Sequence, residues 1–151
     1  MAGIDARLRR YFSFAPSLFS LVDFLRSKGY NPLLTAYVPD AVHWRLVVVG
    51  TRVVAAYKNV NDTDDFRTHA SDAPEHYDVR PSAELSKIAV RAVRLTRREF
   101  GGVDILEDAR GQLFLLEANF PCYYPQAQLV TGTDIAGAML EHLLKKSRAK
   151  S

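Results

Sequence analysis

Between residues 103 and 119 the chain reads VDILEDARGQLFLLEAN, a β-hairpin pattern with oxygen-bearing side chains where a core strand would be apolar. Asp104 stands near the start of the first arm. Glu117 and Asn119 stand near the end of the second, two residues apart and so on one face of a strand. Strand interiors disfavour Asp, Asn and Glu, and a buried carboxylate without a partner is costly. Two carboxylates and an amide oxygen converging beside apolar neighbours point to a hard cation, with magnesium holding phosphates as the leading case. The competing reading is an exposed hairpin whose acids face water.

The convergence depends on register. Asp108-Ala109-Arg110-Gly111 fits a turn with Asp at its first position and Gly at its last. An even-length turn of this kind pairs Asp108 with Gly111 and Asp104 with Leu115. Asp104 and Glu117 then become diagonal neighbours on one face, roughly 7–8 Å apart at the backbone. Val103, Ile105, Phe114 and Leu116 would form the opposite, core-facing side. A single bulge would flip the arrangement.

Other elements must hold this hairpin in place. Residues 17–28 have apolar side chains at helical spacing (Leu18, Leu21, Val22, Leu25) with Gly29 as the stop. Residues 32–38, PLLTAYV, predict a short strand. Residues 43–58 predict a second hairpin around Gly50-Thr51. Pairing Val49 with Arg52 there puts Trp44, Leu46, Val48, Val53, Ala55 and Tyr57 on one face. His43, Arg45 and Lys58 fall on the other, at the end away from the turn, where a polar ligand could sit.

Residues 59–81 form a long polar stretch, of the kind that is functional or disordered in compact domains. Ser82 caps a helix over residues 83–100, with an apolar stripe of Leu85, Ile88, Ala89, Ala92 and Leu95 and a solvated basic face of Arg91, Arg94, Arg97 and Arg98. Gly101-Gly102 opens the acidic hairpin. An aromatic loop, FPCYYPQAQLVTG, follows it. A last helix then starts at Thr133 or Asp134, with Ile135, Met139, Leu143 and Leu144 facing inward. The order predicts an α+β fold in which helices cover one side of an antiparallel sheet.

The 151 residues suit one domain, and the net charge of +3 is small. A single cysteine, Cys122, excludes an internal disulfide and a cysteine-only metal site. No apolar run is long enough to span a membrane, and no signal peptide is evident, so a cytoplasmic location is the expectation. The basic tail at Lys145, Lys146, Arg148 and Lys150 complements a helix C-terminus. No aromatic-interleaved basic strip accompanies it, which argues against a nucleic-acid partner.

In this order the motifs resemble the ATP-grasp superfamily, most closely its RimK-like branch, which includes ribosomal-protein glutamate ligases and is related to glutathione synthetase. The likeness runs from about residue 31 to 144. LLTAYVPD resembles the hinge strand, WRLVVVGTRVVAAYKN the arginine-bearing hairpin, and DDFRTH a Phe-Arg-Ser-Asn segment. GGVDILED, FLLEAN and TGTDIA resemble the metal-binding hairpin and closing helix.

The resemblance implies ATP-dependent ligation of a carboxylate to an amine through an acyl phosphate. It implies two magnesium ions (manganese as a substitute), one held by Asp104 and Glu117 and the other by Glu117 and Asn119. Arg45 and Arg67 would stabilise phosphoryl oxygens. Backbone groups of Leu34, Ala36, Tyr37 and Val38 would hold adenine, with Lys58 also at the nucleotide. The substrate would be an amino acid or peptide. The family pattern has Asn where His69 stands. For His69 and His76 a ligand or base role competes with simple exposure in a loop, and for Cys122 a nucleophile role competes with packing.

Residues 1–30 would be the end of a preceding lobe, 31–147 the C-terminal lobe and 148–151 a basic tail. The chain would correspond to the C-terminal portion of such an enzyme, either a fragment of it or half of a split enzyme whose N-terminal half is a separate chain, with weak nucleotide affinity and no turnover alone. The alternatives are an inactive binding or regulatory module of the same fold and a basic nucleic-acid-interacting domain.

Overall fold

The computed structural model describes residues 18–33, 35–61, 68–71, 73–77 and 80–149. Leu34 and Arg67, both singled out above, lie outside the described residues. Two compact units are present, residues 1–37 with 61–67 and residues 38–60 with 68–151.

The described part of the first unit contains helix α1, Leu18–Ser27. Gly29, at φ 83, ends it as expected, with the Tyr30 amide donating to the Leu25 carbonyl at 3.0 Å. The strand expected over residues 32–38 does not form among the described positions, which are irregular and where Leu33 is largely exposed. A strand exists only through hydrogen-bonded neighbours, and no ladder pairing is present at these positions among the described residues.

The second unit is built on a five-stranded sheet in the order β3-β2-β1-β4-β5. The strands are β1 (Val42–Val49), β2 (Arg52–Asn61), β3 (Thr68–Ala70), β4 (Phe100–Glu107) and β5 (Leu113–Asn119). The β1–β2, β1–β4 and β4–β5 pairs are antiparallel. Helices α2 (Ala83–Leu95), α3 (Pro125–Thr131) and α4 (Ile135–Arg148) complete the expected α+β architecture.

Alternation along β1 feeds two cores. Trp44, Leu46 and Val48 join Val103 and Ile105 beneath Leu85, Ala89, Ala92 and Val93 of α2. On the other face Val47 and Tyr57 pack with Tyr77, Ala127 of α3 and Ile135 of α4. Helical cover therefore extends beyond the single side expected. Tyr57 and Tyr77 stack with ring centroids 4.9 Å apart, and burial pushes the Tyr57 hydroxyl up to about 12.

Several boundaries differ from the sequence expectation for local reasons. Helix α2 starts at the Ser82 cap, whose Oγ accepts from the Leu85 amide, but it stops at Leu95 rather than residue 100. Arg97 adopts φ 58 and the Arg98 amide returns to the Val93 carbonyl, a Schellman closure with arginine in the position glycine usually takes. Leu95 is consequently 74% exposed, and Val93 takes its place in the buried stripe.

Helix α3 occupies what was expected to be loop. Pro125 at its first turn and left-handed Gly132 at its end are its only sequence signals. Asp134 caps α4 by accepting from the Gly137 amide at 2.7 Å. Ile135 is buried, whereas Leu143 and Leu144 point outward. The long polar stretch contains edge strand β3 and a 3-10 turn over Pro74–His76.

Candidate active site

Asp104 lies at the centre of the β1–β4–β5 part of the sheet. It is directly opposite Arg45 on β1 and directly opposite Glu117 on β5. Gly102 faces Asn119 two pairs further along. The three oxygen-bearing side chains thus share one face, because residues two apart on a strand point the same way.

The route to that face differs from the one the sequence implied. Gly111 takes φ 79, and the Asp108 amide pairs with the Gln112 carbonyl at 3.0 Å, so the turn holds one residue more than expected. That shift pairs Ile105 with Leu115 and alone would send Glu117 to the wrong side. A second shift between Asp104 and Ile105 leaves Leu116 unmatched and restores the parity. Asp104 and Glu117 become direct rather than diagonal neighbours. Leu113 and Ala118 pack on the core in place of the expected Phe114 and Leu116, and Leu116 is 51% exposed.

The chemistry around Asp104 is dense. The residue is 4% exposed. Its Oδ2 accepts from Arg45 Nη1, and its Oδ1 pairs with His43 Nε2 at 3.1 Å. Burial pushes the carboxyl up, but the His43 hydrogen bond and the Arg45 charge outweigh it and hold the group below the ordinary aspartate value. Glu117 also lies within hydrogen-bonding reach of Asp104. Its Oε1 accepts from Asn119 Nδ2 at 2.7 Å. Like charges directly opposite on adjacent strands destabilise a sheet unless a cation lies between them.

Gly102 is a site residue that sequence reasoning missed. A Cβ there would lie 2.6–2.8 Å from the Arg45 guanidinium, so the absence of a side chain is what seats Arg45 against β4. A glycine two residues before a strand carboxylate was the available signal.

The β1–β2 hairpin corrects another expectation. Val49 pairs with Arg52 as expected, but a shift between Val47 and Val48 carries Ala55 and Tyr57 to the Arg45 face. Lys58 goes to the opposite face, where its Nζ stands 5.0 Å from the Trp44 ring centroid. It does not collect with His43 and Arg45. Trp44 itself is core, donating its indole N–H to Glu107 at 2.7 Å.

Of the hinge residues, Ala36 and Tyr37 belong to the first unit and are exposed, and Val38 opens the second unit half-buried. Cys122 packs in the Tyr57 core, and burial pushes its thiol up, which is the wrong direction for a nucleophile. His76 Nδ1 shares a 2.6 Å hydrogen bond with buried Ser71, while His69 is exposed. Among the described residues no group of three or more His, Cys, Asp or Glu could hold a metal ion. The donor set here is two carboxylates and an amide oxygen, all hard donors, and it fits an ion whose remaining ligands are phosphates and water. No helix among the described residues is long and apolar enough to cross a membrane.

The family model of the RimK-like ATP-grasp domain matches residues 34–143. A "Probable alpha-L-glutamate ligase" of Parasynechococcus marenigrum is 31% identical over 129 residues, which are 84% of this chain and 28% of that protein. One of the same name from Serratia proteamaculans is 32% identical over 131 residues, 85% of this chain and 43% of that protein. The chain therefore spans less than half the length of these relatives.

Among solved structures, the ATP-grasp ligase PsnB complexed with minimal precursor, Mg and ADP superposes with a TM-score of 0.54 at 26% identity, covering 75% of this chain and 34% of that one. A RiPP-associated ATP-grasp ligase of Chryseobacterium gregarium shares the fold with a TM-score of 0.55 at 12% identity, covering 72% of this chain and 34% of that one. This chain belongs to the RimK-like ATP-grasp family.

Proposed function

We propose that the chain forms the metal- and phosphate-binding part of an ATP- and magnesium-dependent ligase that joins a carboxylate to an amine through an acyl phosphate. The observation that carries this reading is the direct opposition of Asp104 and Glu117, with the Asn119 amide on Glu117. Asp104 and Glu117 would hold one magnesium ion, and Glu117 and Asn119 the other, with manganese a possible substitute. Bound there, magnesium supplies the positive charge that neutralises the triphosphate during transfer.

The protein's own contribution is positional. Arg45, held against Asp104 and seated over Gly102, presents a fixed guanidinium to phosphoryl oxygens. Arg67 is assigned the same role. The backbone of Leu34, Ala36, Tyr37 and Val38 would hold adenine. Lys58, over Trp44 on the far face, takes no part. The substrate carboxylate would attack the γ-phosphorus to release ADP, and the amine would then displace phosphate from the acyl phosphate. The names of the relatives support an amino acid, glutamate, as the amine, and PsnB's precursor supports a peptide as acceptor. The relatives are more than twice as long. We therefore assign turnover to this chain together with the portion of such a ligase that it does not match, in the same polypeptide or in a partner, and only weak nucleotide binding to the chain alone.

Thermal unfolding with ATP or ADP, with and without magnesium, tests the assignment. Nucleotide with magnesium raises the midpoint of the wild-type chain and leaves Glu117→Gln unmoved. A shift that persists in Glu117→Gln, or that needs no magnesium, overturns it.

A further inference from the structure

A second ligand-sized feature lies away from the carboxylates. Residues 51–56, along the start of β2, form the floor of an open groove of about 1590 Å³. Ala83, Ser86, Lys87, Val90 and Arg91 of α2 and its cap region form one wall; Pro74, Tyr77 and Val130 form the other. β3 has three residues against ten in β2, so among the described residues most of the β2 edge has no strand beside it. An unpaired edge presents alternating N–H and C=O groups, which proteins normally cover or blunt.

The charge of this groove is one-sided. Arg52, Arg80, Lys87, Arg91 and Arg94 line it, and among the described residues no Asp or Glu does. Among the described residues none of Arg80, Lys87, Arg91 and Arg94 has an ion-pair partner, and all four are exposed. Arg52 has a nearby carboxylate, Glu141, whose closer partner is Lys145 at 2.7 Å. Four uncompensated cations beside a bare strand edge make an anion-attracting surface with a built-in main-chain template.

We propose that this groove binds an acidic peptide segment in extended conformation, added to the free edge of β2 as a further strand. Main-chain hydrogen bonds to residues 51–56 give the binding, and the α2 cations select carboxylates on the side chains that face them. A span of six residues accommodates about 20 Å of extended peptide. Nucleic acid would use the same cations. It has no use for a row of main-chain donors and acceptors, and Tyr77, the aromatic residue of the lining, is buried in a core stack rather than free to stack a base.

Fluorescence polarisation of the full chain tests the idea without nucleotide or magnesium. The probe is a labelled ten-residue peptide of alternating glutamate and valine. Its controls are the same peptide with lysine for glutamate, the same peptide N-methylated at alternate residues, and single-stranded oligo-dT. The acidic peptide binds. The lysine and N-methylated peptides lose at least about tenfold in affinity, as does the Arg91→Glu/Arg94→Glu variant, whose substitutions lie on the solvent face of α2. Glu117→Gln binds the peptide as the wild type does, which separates this site from the proposed nucleotide site. Equal affinity for the N-methylated peptide, tighter binding of oligo-dT, or no binding of the acidic peptide each overturns the proposal. Unchanged thermal midpoints establish that the charge-reversed variant is folded.

Discussion

The two long hairpins of the sheet each contain register shifts, and the consequences are opposite. In β4–β5, an extra turn residue and an unmatched Leu116 cancel in parity, so Asp104 and Glu117 end on the same face that a perfectly regular ladder would have given them. In β1–β2, one shift at Val47/Val48 stands alone. It moves Tyr57 beside Arg45 and sends Lys58 to Trp44. Chemistry that depends on which face a side chain occupies therefore survives an even number of one-residue slips and is rewritten by an odd number.

The largest expected effect comes from the carboxylate that the paired slips place. Asp104→Ala leaves Arg45 and His43 without their partner and costs about 3–5 kcal/mol in urea unfolding. Its pH dependence has a definite sign. The folded-state value lies below the ordinary 3.8, so the stabilisation is complete above that value and is lost as pH falls through the lower folded value. Asp104→Asn therefore loses less stability on acidification than the wild type does. An equal loss in both proteins would place the acid sensitivity elsewhere.

The bulge itself separates two neighbouring apolar residues that the sequence treats alike. Ile105→Ala removes a fully buried side chain and costs about 2–5 kcal/mol. Leu116→Ala falls within about 0.5 kcal/mol of wild type. Comparable losses at both positions would contradict the register. Lys58→Ala gives up a cation–π contact worth about 0.5–1 kcal/mol and leaves magnesium-dependent nucleotide binding unchanged. A drop in nucleotide affinity would return Lys58 to the Arg45 face.

Much of this was legible in the sequence. Periodicity and caps located α1, α2 and α4, and a Gly-Thr turn and an Asp-Gly turn located both hairpins. The candidate metal donors were legible because carboxylates in apolar strands are costly without a use. What stayed hidden has local physical causes. The α2 terminus depends on an arginine in a left-handed position, where the usual signal is glycine. α3 is seven residues long, too short for periodicity to register. β3 has three residues and exists only by pairing with β2. Gly102 matters through a side chain on another strand, 57 positions away at Arg45, and a glycine two residues before a strand carboxylate is the one local trace of that contact.

The central claim is that Asp104, Glu117 and Asn119 form one cation site on one face of β4–β5. Manganese titration in the presence of ADP, followed by paramagnetic broadening of backbone amide signals, tests it most directly. Signals of residues 102–104 and 117–119 should broaden first and together, with those at the hairpin tip (residues 108–112) unaffected, and Glu117→Gln should abolish the effect. Broadening centred elsewhere, or none at saturating manganese and ADP, would contradict the account.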